Sequence, residues 1–287
     1  MPRISKQAQL QQQFVDTTQS TLLIAETYLK KFHNNIDEAV EQYYKDSEKD
    51  SEYDISKFDK KLLKLYQIYQ DPSDYGKINI EGTMKYLQDL GIEPEDLESL
   101  TLAYLLDSNK IGIFEQVNFL KFWSHYKIND IKKMYSFIKK IHQQIINQDI
   151  TKVWLIKKNE EEEINFKDVY EYTFSGLLEG DNQNKLDYEL SIDYWKLLIP
   201  VLINKHNQKF NKSIKDQINI RLNQWYEFLE NDYKQSISRD KWNMFYLFVQ
   251  DIIIPDPINL SEYDEMAAWP TIMDEYILYL RDNELLK

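Results

Sequence analysis

Apolar residues recur at helical spacing along most of the chain. Three short amphipathic patterns come first, over residues 7–16, over a run that follows Ser20, and over residues 36–44, and Ser20 and Asn35 are suitable N-caps for the last two. Longer patterns with broad apolar stripes predict helices that begin at residue 56 and then cover residues 80–90, 94–106, 115–123, 130–146, 166–178, 188–203, 217–230, 238–252 and 270–280. We therefore predict an all-α fold, and the scarcity of glycine (6) and proline (7) argues against a strand-and-turn architecture.

Two segments interrupt the helical pattern. Residues 46–56 are mostly charged and polar, so we interpret them as a linker between a small three-helix domain (residues 1–45) and a larger helical domain (residues 57–287). The pattern over residues 151–156 is compatible with a short strand. We interpret residues 157–163, which contain four successive glutamates, as a solvated insertion.

The charge and the cysteine content narrow the function. The chain has 35 Lys and Arg against 48 Asp and Glu, a net charge of −13. Affinity for the phosphate backbone comes largely from Lys and Arg that displace counterions, so we expect no nucleic-acid partner and favour a protein with a basic surface. Cysteine is absent, which excludes disulfides, thiolate zinc sites and mechanisms with a cysteine nucleophile.

No segment has the pattern of a membrane anchor. The most apolar run, around residues 197–203, falls well short of the roughly 18 to 20 residues that a membrane-spanning helix needs. Residues 1–13 are polar and lack the apolar centre of a signal peptide. We expect a protein of the cytoplasm and nucleus with no membrane partner.

The sequence contains no recognisable group of residues with the spacing of a catalytic site. The six glycines build no phosphate-binding loop, dinucleotide fingerprint or nucleophile elbow. The histidines form no pair at helical ligand spacing, and each is better explained as a surface or packing residue: His33, His125, His142 and His206. We expect no cofactor, no metal site and no catalytic residue, and an unrecognised helical enzyme is the least supported alternative.

Two loops have part of the residue spacing of calcium-binding loops between helices. They cover residues 71–82 and 107–118. Each has an Asp at position 1, a Gly at position 6 for the sharp turn and an apolar residue at position 8, namely Asp71, Gly76 and Ile78 in the first loop and Asp107, Gly112 and Phe114 in the second. The pattern favours EF-hand-like helix–loop–helix units.

The same loops lack two of the ligands that calcium requires. A calcium loop needs an oxygen ligand at position 5 and a bidentate Glu at position 12. Position 5 is Tyr75 or Ile111, and position 12 is Gly82 or Asn118. We predict that the helix–loop–helix geometry is kept without the metal ligands. The alternative, a calcium-responsive helical adaptor protein, stays open and is testable by calorimetry.

The last third of the chain carries specific strings. They read YEYTF at residues 170–174, LDYELSIDYWKLL at 186–198, ISRDKWN at 237–243 and YDEMAAWPTIMDEY at 263–276. These strings resemble the potentiating-neddylation (PONY) domain of the defective-in-cullin-neddylation proteins. The helix pattern that includes residues 35–44 resembles the ubiquitin-associated (UBA) domain that precedes it in many members, although residues 16–20 replace the usual Met-Gly-Phe-type loop.

The resemblance implies a scaffold rather than an enzyme. Members of this family are co-ligases that hold a cullin and the charged neddylation conjugating enzyme together, so that a cullin lysine attacks the thioester of the modifier. No covalent intermediate forms on the scaffold, which suits a chain without cysteine. The implied partners are the winged-helix tail of a cullin, the N-terminally acetylated conjugating enzyme, and ubiquitin or the modifier at the N-terminal domain.

The resemblance also implies a cullin-binding patch. By matching motifs, the Asp–Ala–Asp patch of the family falls on Asp240, Ala268 and Asp274. Both acids lie near predicted helix starts, where exposed carboxylates can steer a basic partner. The alternative is that Asp240 only complements a helix N-terminus and that Asp274 is a solvated surface acid.

A second implied site accepts the acetylated N-terminal methionine of the conjugating enzyme. Acetylation removes a charge that would be costly to desolvate in an apolar pocket. Thr83 stands where the family usually has an apolar residue, and Gly176 where it often has an aromatic one. Position matching assigns the pocket to residues that could equally be ordinary core residues at helical spacing: Ile80, Leu102, Ala103, Leu106, Phe114, Tyr194 and Leu197.

Overall fold

A computed structural model describes residues 6–18, 22–50, 55–180, 183–205 and 212–286. Within these ranges the chain forms thirteen α-helices and three small two-stranded sheets, which confirms the all-α class. None of the described helices is both long enough and apolar enough to cross a membrane.

The first three helices form a small unit with its own core. They are α1 (Lys6–Thr18), α2 (Leu22–Lys31) and α3 (Ile36–Asp50). Asn35 caps α3 as predicted, since its side-chain oxygen accepts a hydrogen bond from the Glu38 N–H at 3.4 Å. The buried residues of this core belong to all three helices: Phe14, Ala25, Leu29 and Ala39. The predicted Ser20 cap lies outside the described residues.

Helix α3 continues to Asp50, beyond the end predicted at residue 44. The extension consists of charged and polar residues that have no apolar stripe. It contains neither glycine nor proline, so nothing in its sequence stops the helix. Part of the predicted linker is therefore helical, while the domain boundaries themselves stay a prediction.

The ten remaining helices share a second, larger core. They are α4 (Lys60–Tyr69), α5 (Ile80–Leu90), α6 (Leu97–Leu105), α7 (Gln116–His125), α8 (Ile131–Ile146), α9 (Phe166–Gly176), α10 (Tyr188–Lys205), α11 (Lys212–Phe228), α12 (Arg239–Phe248) and α13 (Thr271–Asp282). The largest fully buried side chains of this core are four tryptophans, Trp123, Trp195, Trp225 and Trp242. The two cores are separate clusters, so the helices divide into two packing units.

Helix starts follow the capping residues. Helix α4 was expected from residue 56, but Ile55–Lys57 forms a 3₁₀ turn and the α-helix begins at Lys60. The reason is Asp59, whose carboxylate accepts hydrogen bonds from the N–H groups of Lys61 and Leu62 at 3.0 and 2.9 Å.

The described residues form three antiparallel strand pairs. Two pairs join segments that are distant in sequence, and the third is a hairpin. Strand β1 (Lys77–Ile78) pairs with β2 (Phe114–Glu115), and β5 (Lys185–Leu186) pairs with β6 (Ile237–Ser238). Strand β3 (Thr151–Leu155) confirms the predicted strand. It pairs with β4 (Glu160–Ile164), so the glutamate run that we interpret as a solvated insertion forms a strand.

The hairpin forms because its first strand is anchored in the core. Val153 and Trp154 of β3 are buried, and Thr151 pairs with Ile164 at the open end of the hairpin. Strand β4 supplies the hydrogen-bonding partner while Glu160 and Glu161 stay exposed. The strand is therefore specified by its neighbour rather than by its own polar sequence.

One hydrogen-bonded cluster ties α9, α10 and α12 together. The Tyr170 hydroxyl donates to the Trp242 carbonyl oxygen at 2.7 Å and accepts from Trp195 Nε1–H at 2.8 Å. Trp242 Nε1–H donates back to the Tyr170 carbonyl oxygen at 3.0 Å. Each helix contributes one aromatic residue, so the three motif strings that contain them meet in one place.

Candidate functional site

The two calcium-like loops are joined to each other. Strands β1 and β2 lie in these loops and pair Lys77 with Glu115 and Ile78 with Phe114. Ile78 and Phe114 are the position-8 residues of their loops, and both are buried. The pairing fixes the helix–loop–helix units α4–α5 and α6–α7 against one another.

The first loop is closed by its own side chains. The Asp71 carboxylate accepts hydrogen bonds from the hydroxyl and the N–H of Ser73 at 2.6 and 2.8 Å, and these bonds hold the pKa of Asp71 below its ordinary value. At position 12, a Cβ on Gly82 would lie 1.9 Å from the Tyr69 carbonyl oxygen. A glutamate cannot occupy this position without moving the backbone, which argues against the calcium alternative.

The second loop is closed by an amide and an ammonium group. Asn118 Nδ2 donates to the Asp107 carbonyl oxygen at 3.2 Å, and Lys157 Nζ lies 2.7 Å from the Asp107 carboxylate. Burial raises the pKa of Asp107, and Lys157 opposes this shift. In the described part of the chain, no group of three His, Cys, Asp or Glu side chains is arranged to hold a metal ion.

An open cavity of about 260 Å³ lies between α6, α10 and the second loop. Its walls are apolar, and its mouth carries carboxylates. Leu100, Ile111, Tyr194 and Leu197 form the walls, and the mouth is lined by three exposed acids, Glu95, Asp96 and Asp193. Burial raises the pKa of Tyr194, and the nearby Asp193 adds to the shift. The cavity can take an apolar group whose continuation in solvent is cationic.

The predicted pocket residues fall into three locations. Tyr194 and Leu197 line the cavity. Ile80 is 58% exposed on α5, where it packs toward Gly112 of the second loop. The other four lie in the core and do not line this cavity: Leu102, Ala103, Leu106 and Phe114. Ile111 also lines the cavity, although its place in the sequence indicates only a missing calcium ligand.

The two departures from the family pattern have distinct surroundings. Thr83 is buried, and its hydroxyl has no hydrogen-bond partner among the residues that the structure describes. Gly176 is the last residue of α9, and its carbonyl oxygen accepts a hydrogen bond from the Ile111 N–H at 2.8 Å. The side chain of Ile111 fills the space that a residue larger than glycine would need.

The three residues of the predicted cullin-binding patch are all exposed. Asp240 lies in the first turn of α12, but the cap is Ser238, whose hydroxyl accepts from the Lys241 N–H at 3.3 Å. Asp274 lies in the first turn of α13. Ser238 rather than Asp240 thus caps α12, and the exposed Asp240 carboxylate is accessible to a partner.

Aromatic packing positions the segment that carries Ala268. Its neighbour Trp269 stacks on Tyr263 with ring centroids 6.1 Å apart, and Trp269 also meets Phe248 at 5.7 Å. The Tyr263 hydroxyl donates a hydrogen bond to the Asp274 carboxylate. Burial and this hydrogen bond raise the pKa of Tyr263, so it remains a donor. Ala268 and Asp274 are thereby held together.

Asp240 lies at the opposite end of α12 from Phe248. It is eight residues before Phe248, which corresponds to roughly 12 Å along a helix axis. The segment around Asp274 carries further exposed acids, which with Asp274 we call the acidic surface: Asp264, Glu265, Glu275 and Asp282. Arg281 pairs with Glu265 at 2.6 Å. The surface therefore fits a partner with positive charge.

Comparisons with known proteins agree with these features. A family model described as cullin binding matches residues 146–279. The chain is 39% identical over 297 aligned residues to "Defective in cullin neddylation protein 1" of Candida albicans, covering 99% of this chain and 100% of that protein. The protein of the same name from Yarrowia lipolytica is 27% identical over 256 residues, with 88% of each chain covered. That from Saccharomyces cerevisiae is 26% identical over 282 residues, covering 94% of this chain and 93% of that protein.

Proposed function

Because the chain belongs to the defective-in-cullin-neddylation family, we propose that it promotes cullin neddylation as a co-ligase without a reactive group of its own. It would hold a cullin and the neddylation conjugating enzyme at the same time. The observation that carries this proposal is the presence of two chemically different surfaces on different elements, the acidic surface near α13 and the apolar cavity beside α10.

The physical gain is proximity. A cullin lysine and a thioester that are held together react as if within one molecule, and good orientation can supply several kcal/mol of the barrier, up to about 7–11 kcal/mol in favourable cases. The scaffold needs two binding sites and a fixed geometry between its partners, and no nucleophile. The absence of cysteine is compatible with the last of these requirements.

For the cullin we assign Asp240, Ala268 and Asp274. The two carboxylates are exposed and can pair with a basic cullin surface, while Ala268 is small enough to allow close approach. Trp269 and Tyr263 support this assignment, because they fix the backbone beside Ala268 and the carboxylate of Asp274.

For the conjugating enzyme we assign the cavity beside Tyr194 and Leu197. An acetylated methionine carries no terminal charge, so its side chain can enter an apolar cavity without the cost of desolvating an ammonium group. Exposed Ile80 and Met84 lie four residues apart on α5 and suit the apolar face of an amphipathic helix that follows the methionine.

The test is reconstituted transfer of the modifier to a cullin fragment, with and without the protein. We expect acceleration by the wild-type protein and none by Asp240→Arg combined with Asp274→Arg, which should also lose binding to the cullin fragment. The matched control is Glu160→Arg with Glu161→Arg, which makes the same charge change at exposed acids of β4. Unchanged cullin affinity in the first variant would remove the patch assignment.

The cavity assignment has its own test. Peptides that begin with acetylated methionine and with free methionine are compared by calorimetry on the wild-type protein. The acetylated peptide is expected to bind more tightly because the apolar walls disfavour an ammonium group. Equal affinity, or tighter binding of the free amine to the carboxylates at the mouth, contradicts the assignment.

A further inference from the structure

Ile111 occupies an unusual place between a loop and a helix end. It is position 5 of the second calcium-like loop, and its side chain forms one wall of the cavity. Its N–H donates to the Gly176 carbonyl oxygen at 2.8 Å. A Cβ added to Gly176 would lie 2.8 Å from Cγ1 and 3.1 Å from Cδ1 of Ile111. The isoleucine side chain therefore packs directly on the bare backbone of the last residue of α9.

The turn that presents Ile111 is held on both sides. The Ser108 hydroxyl lies 2.6 Å from the carbonyl oxygens of both Lys110 and Ile113. The Tyr172 hydroxyl donates to the Ser108 carbonyl oxygen at 2.9 Å, which ties the turn to α9. The backbone of the turn is therefore fixed by hydrogen bonds on both sides of Ile111.

We propose that Ile111, seated on Gly176, is a specificity-determining residue that sets the depth of the cavity and so limits the size of the apolar side chain that docks there. This inference rests on the proposed function, since it concerns the first residue of the docked segment. Ile111 fills volume that would otherwise extend the cavity toward α9. The ligand class is an uncharged peptide N-terminus with an apolar first side chain no larger than the space beside Ile111.

The proposal makes opposite predictions for two substitutions. Ile111→Ala removes the wall and lengthens the cavity, so larger first residues gain affinity relative to methionine. Gly176→Ala places a methyl group against Ile111 and forces its side chain away from α9, so larger first residues lose affinity. A mismatch of one to a few methylene groups in an apolar pocket changes relative affinity by about tenfold or more.

The experiment measures a ratio of affinities. Short acetylated peptides share one basic amphipathic sequence and differ only in the first residue, which is methionine, phenylalanine or tryptophan. Their dissociation constants are measured by fluorescence anisotropy on the full chain. We expect Ile111→Ala to shift the phenylalanine-to-methionine ratio by about tenfold toward phenylalanine, Ile111→Val to shift it less in the same direction, and Gly176→Ala to shift it the other way.

Ile113→Ala is the matched control. Ile113 lies in the same turn and is also half-buried, but it does not line the cavity. The Ile113→Ala substitution should lower the stability about as much as Ile111→Ala does, but it should leave the affinity ratio unchanged. A loss of packing alone therefore cannot mimic the result. A wild-type ratio in both Ile111 variants overturns this inference and leaves the proposed function standing. If the wild-type protein binds none of the peptides, the cavity assignment and this inference both fall, and binding to the cullin fragment then reports on the remaining half of the proposed function.

Discussion

Replacement of Tyr170 by phenylalanine tests how the three motif-bearing helices are held together. The residue is fully buried, and its hydroxyl is bonded to Trp242 of α12 and Trp195 of α10. The aromatic ring stacks on Trp242 at 5.0 Å, and phenylalanine preserves that contact. The substitution therefore removes hydrogen bonds without opening a large cavity.

The expected loss in unfolding free energy follows from the polar groups that the substitution leaves without a hydrogen bond. The indole N–H of Trp195 loses its acceptor in a fully buried position, and an orphaned buried donor costs about 1–3 kcal/mol. The Trp242 carbonyl oxygen keeps its place in the hydrogen-bonding pattern of α12, so its loss is smaller, about 1 kcal/mol. Together the substitution should lower the free energy of unfolding by about 2–4 kcal/mol.

Urea unfolding followed by tryptophan fluorescence measures this loss selectively. All six tryptophans lie between residues 123 and 269, so the signal reports only on the larger packing unit. The shift in midpoint at a common slope gives the difference in unfolding free energy. The control is Tyr246→Phe, because the Tyr246 ring packs 5.0 Å from that of Tyr170 while its hydroxyl has no hydrogen bond among the described residues. A loss in Tyr170→Phe no greater than in the control would refute the reasoning.

Three further predictions concern stability. Thr83→Val removes a buried hydroxyl without a described partner and should raise the free energy of unfolding by about 1 kcal/mol, whereas a loss of stability would indicate that the hydroxyl is satisfied. Gly82→Ala should destabilise the larger unit in urea by about 1–3 kcal/mol, because its Cβ meets the Tyr69 carbonyl oxygen, while Gly180→Ala, with open space, should be nearly neutral. Burial lowers the pKa of His142 in the folded protein. As the pH drops through about 6.5, His142 is therefore protonated in the unfolded chain before it is protonated in the folded one, and the free energy of unfolding decreases. His142→Asn should flatten this part of the stability–pH curve, and an unchanged slope would contradict it.

Local signals made much of the helical part predictable. The pattern over residues 80–90 matches the bounds of α5, because both ends of that helix carry their own signals. Asn79 accepts a hydrogen bond from the Gly82 N–H at 2.9 Å, and Gly91 takes the left-handed conformation with φ 75° that ends the helix. Such signals depend only on neighbouring residues and can be recognised in the sequence.

Structure that depends on distant partners was missed. Strand β4 has four successive glutamates and no alternating apolar pattern, and it is a strand only because β3 is anchored beside it. The predicted helices over residues 217–230 and 238–252 end instead in π-helical turns, Leu229–Tyr233 and Val249–Ile253, whose first and last residues are buried. Packing against the core overrides the local pattern there.

The candidate sites were unequally predictable. Asp240 and Asp274 lie in short, specific strings, and the exposure of an acid near a helix start is a local property. The cavity is assembled from α6, the second loop and α10, so no single stretch of sequence describes it. In the sequence, Ile111 only replaces an oxygen ligand at position 5 of a calcium-like loop. Its role in shaping the cavity becomes visible only from its contact with Gly176.

The acidic surface around Asp274 has a kinetic consequence. Its charges act on an approaching molecule before any contact forms, over about one Debye length, roughly 8 Å at physiological ionic strength. Added salt should therefore slow the association with a basic partner much more than it hastens dissociation. The carboxylates at the mouth of the cavity have the same reach, but its apolar walls act only once a segment has entered. The acidic surface thus governs how often its basic partner arrives, and the apolar walls govern how long the segment docked in the cavity stays.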